Sequence, residues 1–259
     1  MKTPIYCSLI TFFSFFCGTA FAEELPKELR VLSYNIHICI GNDGKLDAER
    51  IAETIKAQKP DLVALQEVDR KTSRVKQMDQ VDELAKLTGM NAVFGKTIDI
   101  GGGDYGVAIL SRFPIKDHKT TKLPNIDNRE ERVALETTIQ LDEKTEIRFV
   151  CTHFCHQDEK RRMLQADKIT ELFTKDDRVT ILAGDLNAKP DSKTLTVFNE
   201  YWTDATNREP TFPLSVGGQK IDYIFYRPAQ AFRVKETKVI PEKVASDHFP
   251  VLSVLEMKF

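Results

Sequence analysis

The chain has little of several features that would assign it to a class at once. Its 259 residues include five cysteines and one tryptophan, and 37 lysines and arginines stand against 39 acidic residues, for a net charge of −2. A protein held on nucleic acid by a broad basic face needs surplus lysine and arginine, so this balance argues against one. It does not exclude a nuclease with a small basic patch. The hydrophobic share of 41% predicts a soluble, core-forming chain of one large domain or two small ones.

Long apolar runs are also scarce, and the first 22 residues hold the one that resembles a targeting segment. Lys2 gives a positive start, residues 5–16 are mostly apolar, and Ala20 and Ala22 place small residues where a signal peptidase reads. This run of about a dozen residues is shorter than the roughly 20 that span a bilayer. We therefore expect a signal peptide over residues 1–22 that is cleaved after Ala22, and export to the periplasm or the exterior. An uncleaved anchor is the alternative.

Cleavage would leave three cysteines, Cys39, Cys151 and Cys155. Because three is odd, at most one internal disulfide can form. The neighbouring His153 and His156 do not complete a closed set of four zinc ligands. A Cys39–Cys155 disulfide requires both loops to lie at the same end of the molecule, and the sequence leaves its formation open.

Beyond residue 28, apolar strand-like runs alternate with amphipathic helices. Apolar residues at helical spacing predict helices over Asp47–Lys59, Asp79–Leu87 and Asp158–Phe173. The predicted strands are Leu29–Ile36, Asp61–Gln66, a run around Val93, Val107–Leu110, Val133–Leu141, Ile147–Val150, Val179–Ala183, Ile221–Tyr226, Phe232–Val239 and Val251–Leu255. No proline-rich hinge divides the chain. We expect one α/β domain over residues 23–259, with two mixed β-sheets face to face and helices outside.

Polar side chains stand where several of these strands begin or end. They are Asn35, Glu67, His153, Asp185, Asn187, Asp222, Asp247 and His248. Oxygen ligands on rigid supports suit a hard divalent cation, and histidines add proton transfer or hydrogen bonds to developing negative charge. Each residue alone has an ordinary explanation, such as a solvated glutamate or a turn at Gly184-Asp185-Leu186-Asn187. Their joint order and spacing indicate a site.

The same residues lie in segments that resemble the motifs of the endonuclease/exonuclease/phosphatase family. This family of divalent-metal phosphoesterases includes pancreatic-type DNases, abasic-site endonucleases, bacterial sphingomyelinases and inositol polyphosphate phosphatases. The segments are Ser33-Tyr34-Asn35-Ile36, Leu65-Gln66-Glu67-Val68, Gly106–Arg112, Thr152-His153, Gly184-Asp185-Leu186-Asn187, Ile221-Asp222-Tyr223-Ile224 and Ser246-Asp247-His248-Phe249-Pro250. The resemblance covers essentially the whole chain after residue 22 and implies a four-layer α/β sandwich.

The resemblance also implies which residues bind metal. Glu67 would be the main ligand of Mg²⁺, with Asn35 beside it and Asp247 near the same ion or a second one. Mn²⁺ or another divalent ion would suit the same oxygen ligands.

The catalytic roles follow in the same way. Asp185 would orient or deprotonate the attacking water, and Asn187 would hold that water or a phosphate oxygen. His248 would contact the phosphate with its ring oriented by Asp222, because a buried carboxylate fixes the tautomer of an imidazole and raises its basicity. His153 would donate from the opposite side.

Two further candidates, predicted to bind substrate, come from the residues themselves. His37 lies two positions after Asn35, so it faces the same way if the strand continues; a solvated loop histidine is the alternative. Arg132 has the geometry to hold a substrate phosphate bidentately, or it forms a surface ion pair with Glu130 or Glu131.

We therefore expect an exported, Mg²⁺-dependent phosphoesterase that hydrolyses a phosphodiester or phosphomonoester of a small or lipid-derived substrate by in-line attack of water. A secreted nuclease acting on DNA or RNA and a catalytically inactive binding module on the same fold remain alternatives. The irregular stretch from Trp202 to Lys220, which includes Phe212, is the expected specificity loop, although Trp202 also suits the core. We expect a monomer.

Overall fold

The computed structural model describes residues 25–127, 129–212 and 218–259. The expected signal peptide lies outside this part of the chain. Within it, no helix is long and apolar enough to cross a membrane.

Twelve strands and four α-helices make up the described fold. The strands are β1 Glu28–Asn35, β2 Leu62–Arg70, β3 Asn91–Ile100, β4 Gly103–Ser111, β5 Ile115–Lys122, β6 Val133–Gln140, β7 Glu146–His153, β8 Thr180–Asp185, β9 Thr203–Asp204, β10 Asp222–Arg227, β11 Phe232–Val239 and β12 Val251–Met257. The helices are α1 Ala48–Gln58, α2 Gln80–Thr88, α3 Glu159–Phe173 and α4 Lys193–Phe198.

The three predicted helices each begin directly after an aspartate that caps them. The side chain of Asp47 accepts from the backbone N–H of Arg50, and Asp158 accepts from that of Lys160 at 2.7 Å. Asp79 does the same for α2. A carboxylate at this position satisfies N–H groups that have no partner within the helix. The helical predictions were therefore correct in place, with each leading aspartate serving as the cap.

The strands form two mixed sheets of six. Their orders are β11-β12-β1-β2-β4-β3 and β5-β6-β7-β8-β10-β9. Each sheet has one parallel pair near its centre, β1 with β2 and β7 with β8, while the other neighbours are antiparallel. The prediction of two mixed sheets is confirmed.

Three buried clusters correspond to the interfaces of a four-layer sandwich. The largest joins the inner faces of the two sheets and includes Leu62 and Phe149. A second packs α1 and α2 on the first sheet around Ile51, and a third packs α3 and α4 on the second sheet around Ile169 and Phe198. The layer order helix–sheet–sheet–helix thus follows from which face of each element is apolar.

Candidate active site

The predicted site residues meet at one end of the sandwich, where strands of both sheets begin or end. The parallel pair β1 and β2 places Asn35 beside Gln66, and the parallel pair β7 and β8 places His153 beside Asp185. Asp222, at the start of the antiparallel β10, is also paired with Asp185. Carboxyl ends of parallel strands lie at the same sheet edge, so residues distant in sequence converge here.

Gly184 allows β7 and β8 to approach as closely as this arrangement requires. A Cβ atom built at Gly184 would lie 2.0 Å from the carbonyl oxygen of Thr152, which no side chain can tolerate. Any other residue would push the strands apart and move His153 and Asp185 with them.

A bulge in β2 aims Glu67 into the site. The register of β2 with β4 shifts between Leu65 and Val68, and Glu67 has a left-handed φ of 56°. A bulge re-aims one side chain without ending the strand, and strained backbone of this kind is common at functional sites. The sequence had placed the strand end at Gln66; the strand instead continues to Arg70, with Glu67 inside it.

Asn35 is fully buried and connects the two halves of the site. Its Nδ2 donates to Glu67 Oε1 at 3.0 Å and to Asp185 Oδ2 at 3.2 Å, while its Oδ1 accepts from the backbone N–H of His37 at 3.1 Å. The His37 contact fixes the amide, so Nδ2 faces the carboxylates. In this geometry Asn35 orients Glu67 and Asp185, and its role as a metal ligand stays a prediction.

The side chains line a cavity of about 390 Å³. Its lining residues are Glu67, Tyr105, Glu130, Arg132, His153, His156, Asp185, Asn187, Phe212, Asp247 and His248. Asn35 and Asp222 are buried and do not line the cavity, but they hydrogen-bond to residues that do. We call this cavity the cleft.

His248 and Asp222 form a buried pair. His248 Nδ1 lies 3.0 Å from Asp222 Oδ2, and the backbone N–H of Asp222 donates to Thr211 Oγ1 at 3.3 Å. Burial alone would lower the pKa of His248, but the carboxylates of Asp222, Asp185 and Asp247 raise it to about 10. The ring of Phe212 packs on that of His248 with centroids 4.4 Å apart. The carboxylates thus favour the protonated form of His248, and Asp222 and Phe212 fix the orientation of its ring.

Asp185 is buried in a site crowded with negative charge. Burial and the neighbouring carboxylate of Asp222 raise the pKa of Asp185 to about 7, against the opposing effect of His248. Its Oδ1 accepts from the backbone N–H of Asn187 at 2.8 Å. This residue is therefore poised to exchange a proton near neutral pH.

His153 is buried against a cation rather than a carboxylate. Its Nδ1 lies 3.1 Å from Arg132 Nη1, and Arg132 in turn pairs with Glu130 at 2.9 Å. Burial and then the charge of Arg132 hold the pKa of His153 well below its usual range. A guanidinium can only donate, so Nδ1 must accept and the single ring proton sits on Nε2. That nitrogen lies 3.1 Å from Asn187 Nδ2 and 3.4 Å from Asp185 Oδ2.

The donor set of the cleft fits a hard divalent cation. Among the described residues, Glu67 and Asp247 line the same cavity and neither forms an ion pair with a lysine, arginine or histidine. Ligand atoms of Asp185, Asp222 and His248 lie within 4.8 Å of one another and offer a second cluster. Because Asp222 and His248 already bond to each other, the carboxylates of Glu67 and Asp247, which pair with no cationic side chain, suit a metal better.

The structure places the two residues predicted to bind substrate differently. Strand β1 ends at Asn35, so the premise that His37 continues its alternation fails; the ring Nδ1 of His37 lies 2.9 Å from the carbonyl oxygen of Ile40. Arg132 lines the cleft, but it is 4% exposed and is paired with both His153 and Glu130. Whether either residue touches substrate stays a prediction.

Of the aromatic and cationic residues proposed for the specificity loop, Phe212 alone reaches the cleft. Trp202 is 3% exposed and stacks on Phe198 at 5.4 Å, so it belongs to the core. Lys220 is buried, and its Nζ donates to the carbonyl oxygen of Asp222. Residues 213–217 of this loop lie outside the described chain.

The three cysteines that lie beyond the expected leader are free and buried. They are Cys39, Cys151 and Cys155. The disulfide considered between Cys39 and Cys155 is therefore not formed.

Sequence reasoning missed three residues that shape the site. Tyr105 and Glu130 line the cleft. Thr211 accepts hydrogen bonds from the backbone N–H groups of Ile221 and Asp222 and so fixes the start of β10. No local pattern marks any of them, because each depends on strands brought together by the fold.

Comparison with known proteins agrees with this geometry. The model of the Endonuclease/Exonuclease/phosphatase family matches residues 32–248, which span every proposed site residue. A crystal structure of an endonuclease/exonuclease/phosphatase from Beutenbergia cavernae is 25% identical with a TM-score of 0.79, over 90% of this chain and 72% of that one.

Two other solved structures share the fold at lower identity. A mannosyl-6-phosphatase from Bacteroides thetaiotaomicron is 22% identical with a TM-score of 0.68, over 89% of this chain and 100% of that one. The catalytic domain of human Nocturnin with a bound sulfate anion is 18% identical with a TM-score of 0.69, over 90% of this chain and 96% of that one.

Proposed function

Because the chain belongs to the endonuclease/exonuclease/phosphatase family, we propose that it is a divalent-metal-dependent hydrolase of a small or lipid-derived phosphate ester. The observation that carries this proposal is the convergence of Asn35, Glu67, Asp185 and His248 on one cleft. These residues come from both sheets, and no requirement of core packing brings four polar side chains together. The arrangement has the features of a site that polarises a phosphoryl centre.

Glu67 and Asp247 would hold the cation, with Asn35 orienting Glu67. A bound divalent ion withdraws charge from the phosphate and stabilises the leaving oxygen. Among the described residues neither carboxylate forms an ion pair with a cationic side chain, and this supports the assignment, since a carboxylate without such a partner gains most from a bound cation.

The chain's own residues would supply the proton transfers. Asp185, with its pKa near neutrality, accepts the proton of the water that attacks the phosphorus in line. Asn187 holds that water through its side-chain amide. His248, held as a cation by Asp222, donates to a phosphate oxygen from one side. His153 donates from the other side through Nε2–H.

The dimensions of the cleft favour a small substrate. A cavity of about 390 Å³ suits a compact phosphorylated group. The net charge of −2 offers no broad surface for a duplex. That a mannosyl-6-phosphatase shares the fold adds support for a small phosphate ester as substrate.

A substrate panel tests the proposal. Purified protein lacking residues 1–22 is incubated with bis-p-nitrophenyl phosphate, p-nitrophenyl phosphate, inositol phosphates, sphingomyelin and plasmid DNA. We expect turnover of at least one small phosphate ester and its loss in His248→Ala. The matched control His118→Ala, an exposed histidine on β5, should keep full activity. Plasmid nicking without turnover of any small ester would establish a nuclease instead, and no turnover of any compound would sink the proposal.

We also propose that the protein is exported. The leader-like composition of residues 1–22 supports this. Sequencing the N-terminus of protein recovered outside the cytoplasm should give Glu23. Recovery of the intact Met1 chain in the cytoplasm alone would contradict it.

A further inference from the structure

A second cavity adjoins the cleft. It has a volume of about 420 Å³ and shares His156 and Asn187 with the lining of the cleft. A substrate whose reacting phosphate lies in the cleft can therefore extend past Asn187 into this second cavity. The two together exceed what one phosphate ester of a small alcohol would fill.

Two cations face the second cavity without an acidic partner. Among residues 25–127, 129–212 and 218–259, neither Arg162 nor Lys189 forms an ion pair with a carboxylate. Arg162 Nη1 donates to the carbonyl oxygens of Cys155 at 3.0 Å and His156 at 3.2 Å, while its Nε is buried with no acceptor at all. Within the described chain, the charge of Arg162 is therefore matched by neutral carbonyl groups alone, and an anion in the cavity would gain from it.

The carboxylates of the same cavity are engaged elsewhere. Glu159 Oε1 accepts from the backbone N–H of Lys193 at 2.9 Å. Asp191 lies 3.5 Å from Arg208 Nη1, and its side chain is 86% exposed, so water screens its charge. Neither carboxylate forms an ion pair with Arg162 or Lys189 among the described residues, so both cations can bond to an anionic ligand.

We propose that the second cavity binds a second phosphate group of the substrate, so that the preferred substrate is a small molecule with two separated phosphates. The inference rests on the proposed function, because it assigns the reacting phosphate to the cleft. The second phosphate would bond to Arg162 and Lys189, with Gln219 as a neutral donor on the same wall. Binding of this second phosphate would increase the affinity for the substrate through contacts that lie away from the reacting atoms.

Binding can be tested without catalysis. Metal-free protein in EDTA is titrated with inorganic phosphate while backbone amide resonances are followed by NMR. Without metal, the acidic cleft repels phosphate, so we expect saturable shifts at Lys189 and Gln219. Lys189→Gln should weaken this binding at least fivefold, since it removes a charged hydrogen bond to the phosphate. Lys193→Gln, an exposed lysine close by in sequence that does not line the cavity, should leave it unchanged.

Kinetics then test the substrate class. Alkane diols of three to eight carbons, phosphorylated at one end or at both, are compared by phosphate release. We expect the second phosphate to raise kcat/KM at least tenfold at the best spacer length, mainly through KM. Lys189→Gln should lower that ratio, and Lys193→Gln should not.

The outcomes separate the two proposals. If no alkyl phosphate is hydrolysed, the phosphate titration still decides whether the second cavity binds an anion. Shifts confined to the cleft, or binding that Lys189→Gln does not weaken, would overturn the inference while leaving the proposed function intact. A single-stranded oligonucleotide preferred over every bisphosphate would replace the small molecule by a nucleic-acid strand.

Discussion

Asp185→Asn should stabilise the metal-free protein while abolishing its activity. The carboxyl group of Asp185 has its pKa raised from 3.8 to about 7 by burial and by Asp222. A group whose folded pKa exceeds its unfolded pKa gives stability that is present below the unfolded value and lost as pH rises through the folded one. Above pH 7, the folded protein therefore carries an ionised carboxylate in an unfavourable place.

The magnitude follows from that rise. About three pKa units at about 1.4 kcal/mol each give roughly 4 kcal/mol as the upper limit of the penalty. The side-chain amide that replaces this group would have one oxygen, whereas the two carboxylate oxygens of Asp185 accept from Asn35 Nδ2 and from the backbone N–H of Asn187. The substitution therefore loses one hydrogen bond, at a cost of about 1 kcal/mol. We expect a net gain of about 2–3 kcal/mol at pH 8, which for a domain of this size raises Tm by about 5–10 °C.

Thermal unfolding in EDTA at pH 8 and pH 4 measures this directly. The gain should largely vanish at pH 4, where Asp185 is protonated in the folded state and about half protonated in the unfolded state. Asp176→Asn is the matched control, because Arg148 holds the pKa of Asp176 below its usual range. Loss of the Asp176 carboxylate should therefore lower Tm at pH 8. An Asp185→Asn variant no more stable than the wild type at pH 8, or equally stabilised at pH 4, would refute the reasoning.

Three other consequences can be measured. In metal-free protein the pKa of His248 is raised to about 10, and Asp222→Asn should lower it, as measured by NMR titration. An unchanged pKa would count against the pairing of His248 with Asp222. Arg132→Met should lower kcat about 10- to 100-fold, as expected for a lost charged hydrogen bond, and should move the His153 proton from Nε2 to a mixture of tautomers in ¹⁵N spectra. Unchanged spectra would refute this role. The three buried thiols should resist a disulfide reagent until the protein unfolds, because the reagent cannot reach them and because burial raises the pKa of Cys151 to about 12. Rapid labelling of folded protein would contradict their burial. They are Cys39, Cys151 and Cys155.

The sequence predicted the elements whose apolar face is buried and missed those that lack one. Helix α1 and strand β8 carry clear apolar patterns and were placed to within a few residues. Strand β5 was missed because its side chains are mostly exposed, and its place comes from pairing with β6 at the sheet edge. The short helix α4 was missed because its six residues give too little periodicity to read.

For the site, the sequence indicated which residues meet but not how they bond. Asn35 and Glu67 were identified from their places in the motifs, yet the bulge that aims Glu67 has no glycine to mark it. The partnership of Arg132 with His153 joins the segment just before β6 to the end of β7. Only the tertiary structure specifies such a contact, because propensity and periodicity report on neighbours along the chain.

The most direct test is the rate of phosphate ester hydrolysis as a function of added divalent metal. Enzyme stripped with EDTA should be inactive, and Mg²⁺ or Mn²⁺ should restore its activity in a saturable manner. Glu67→Gln should require far more metal or remain inactive, whereas Glu143→Gln in the β6–β7 turn should behave as the wild type. Full activity in EDTA, or a Glu67→Gln variant with the wild-type metal dependence, would contradict the account.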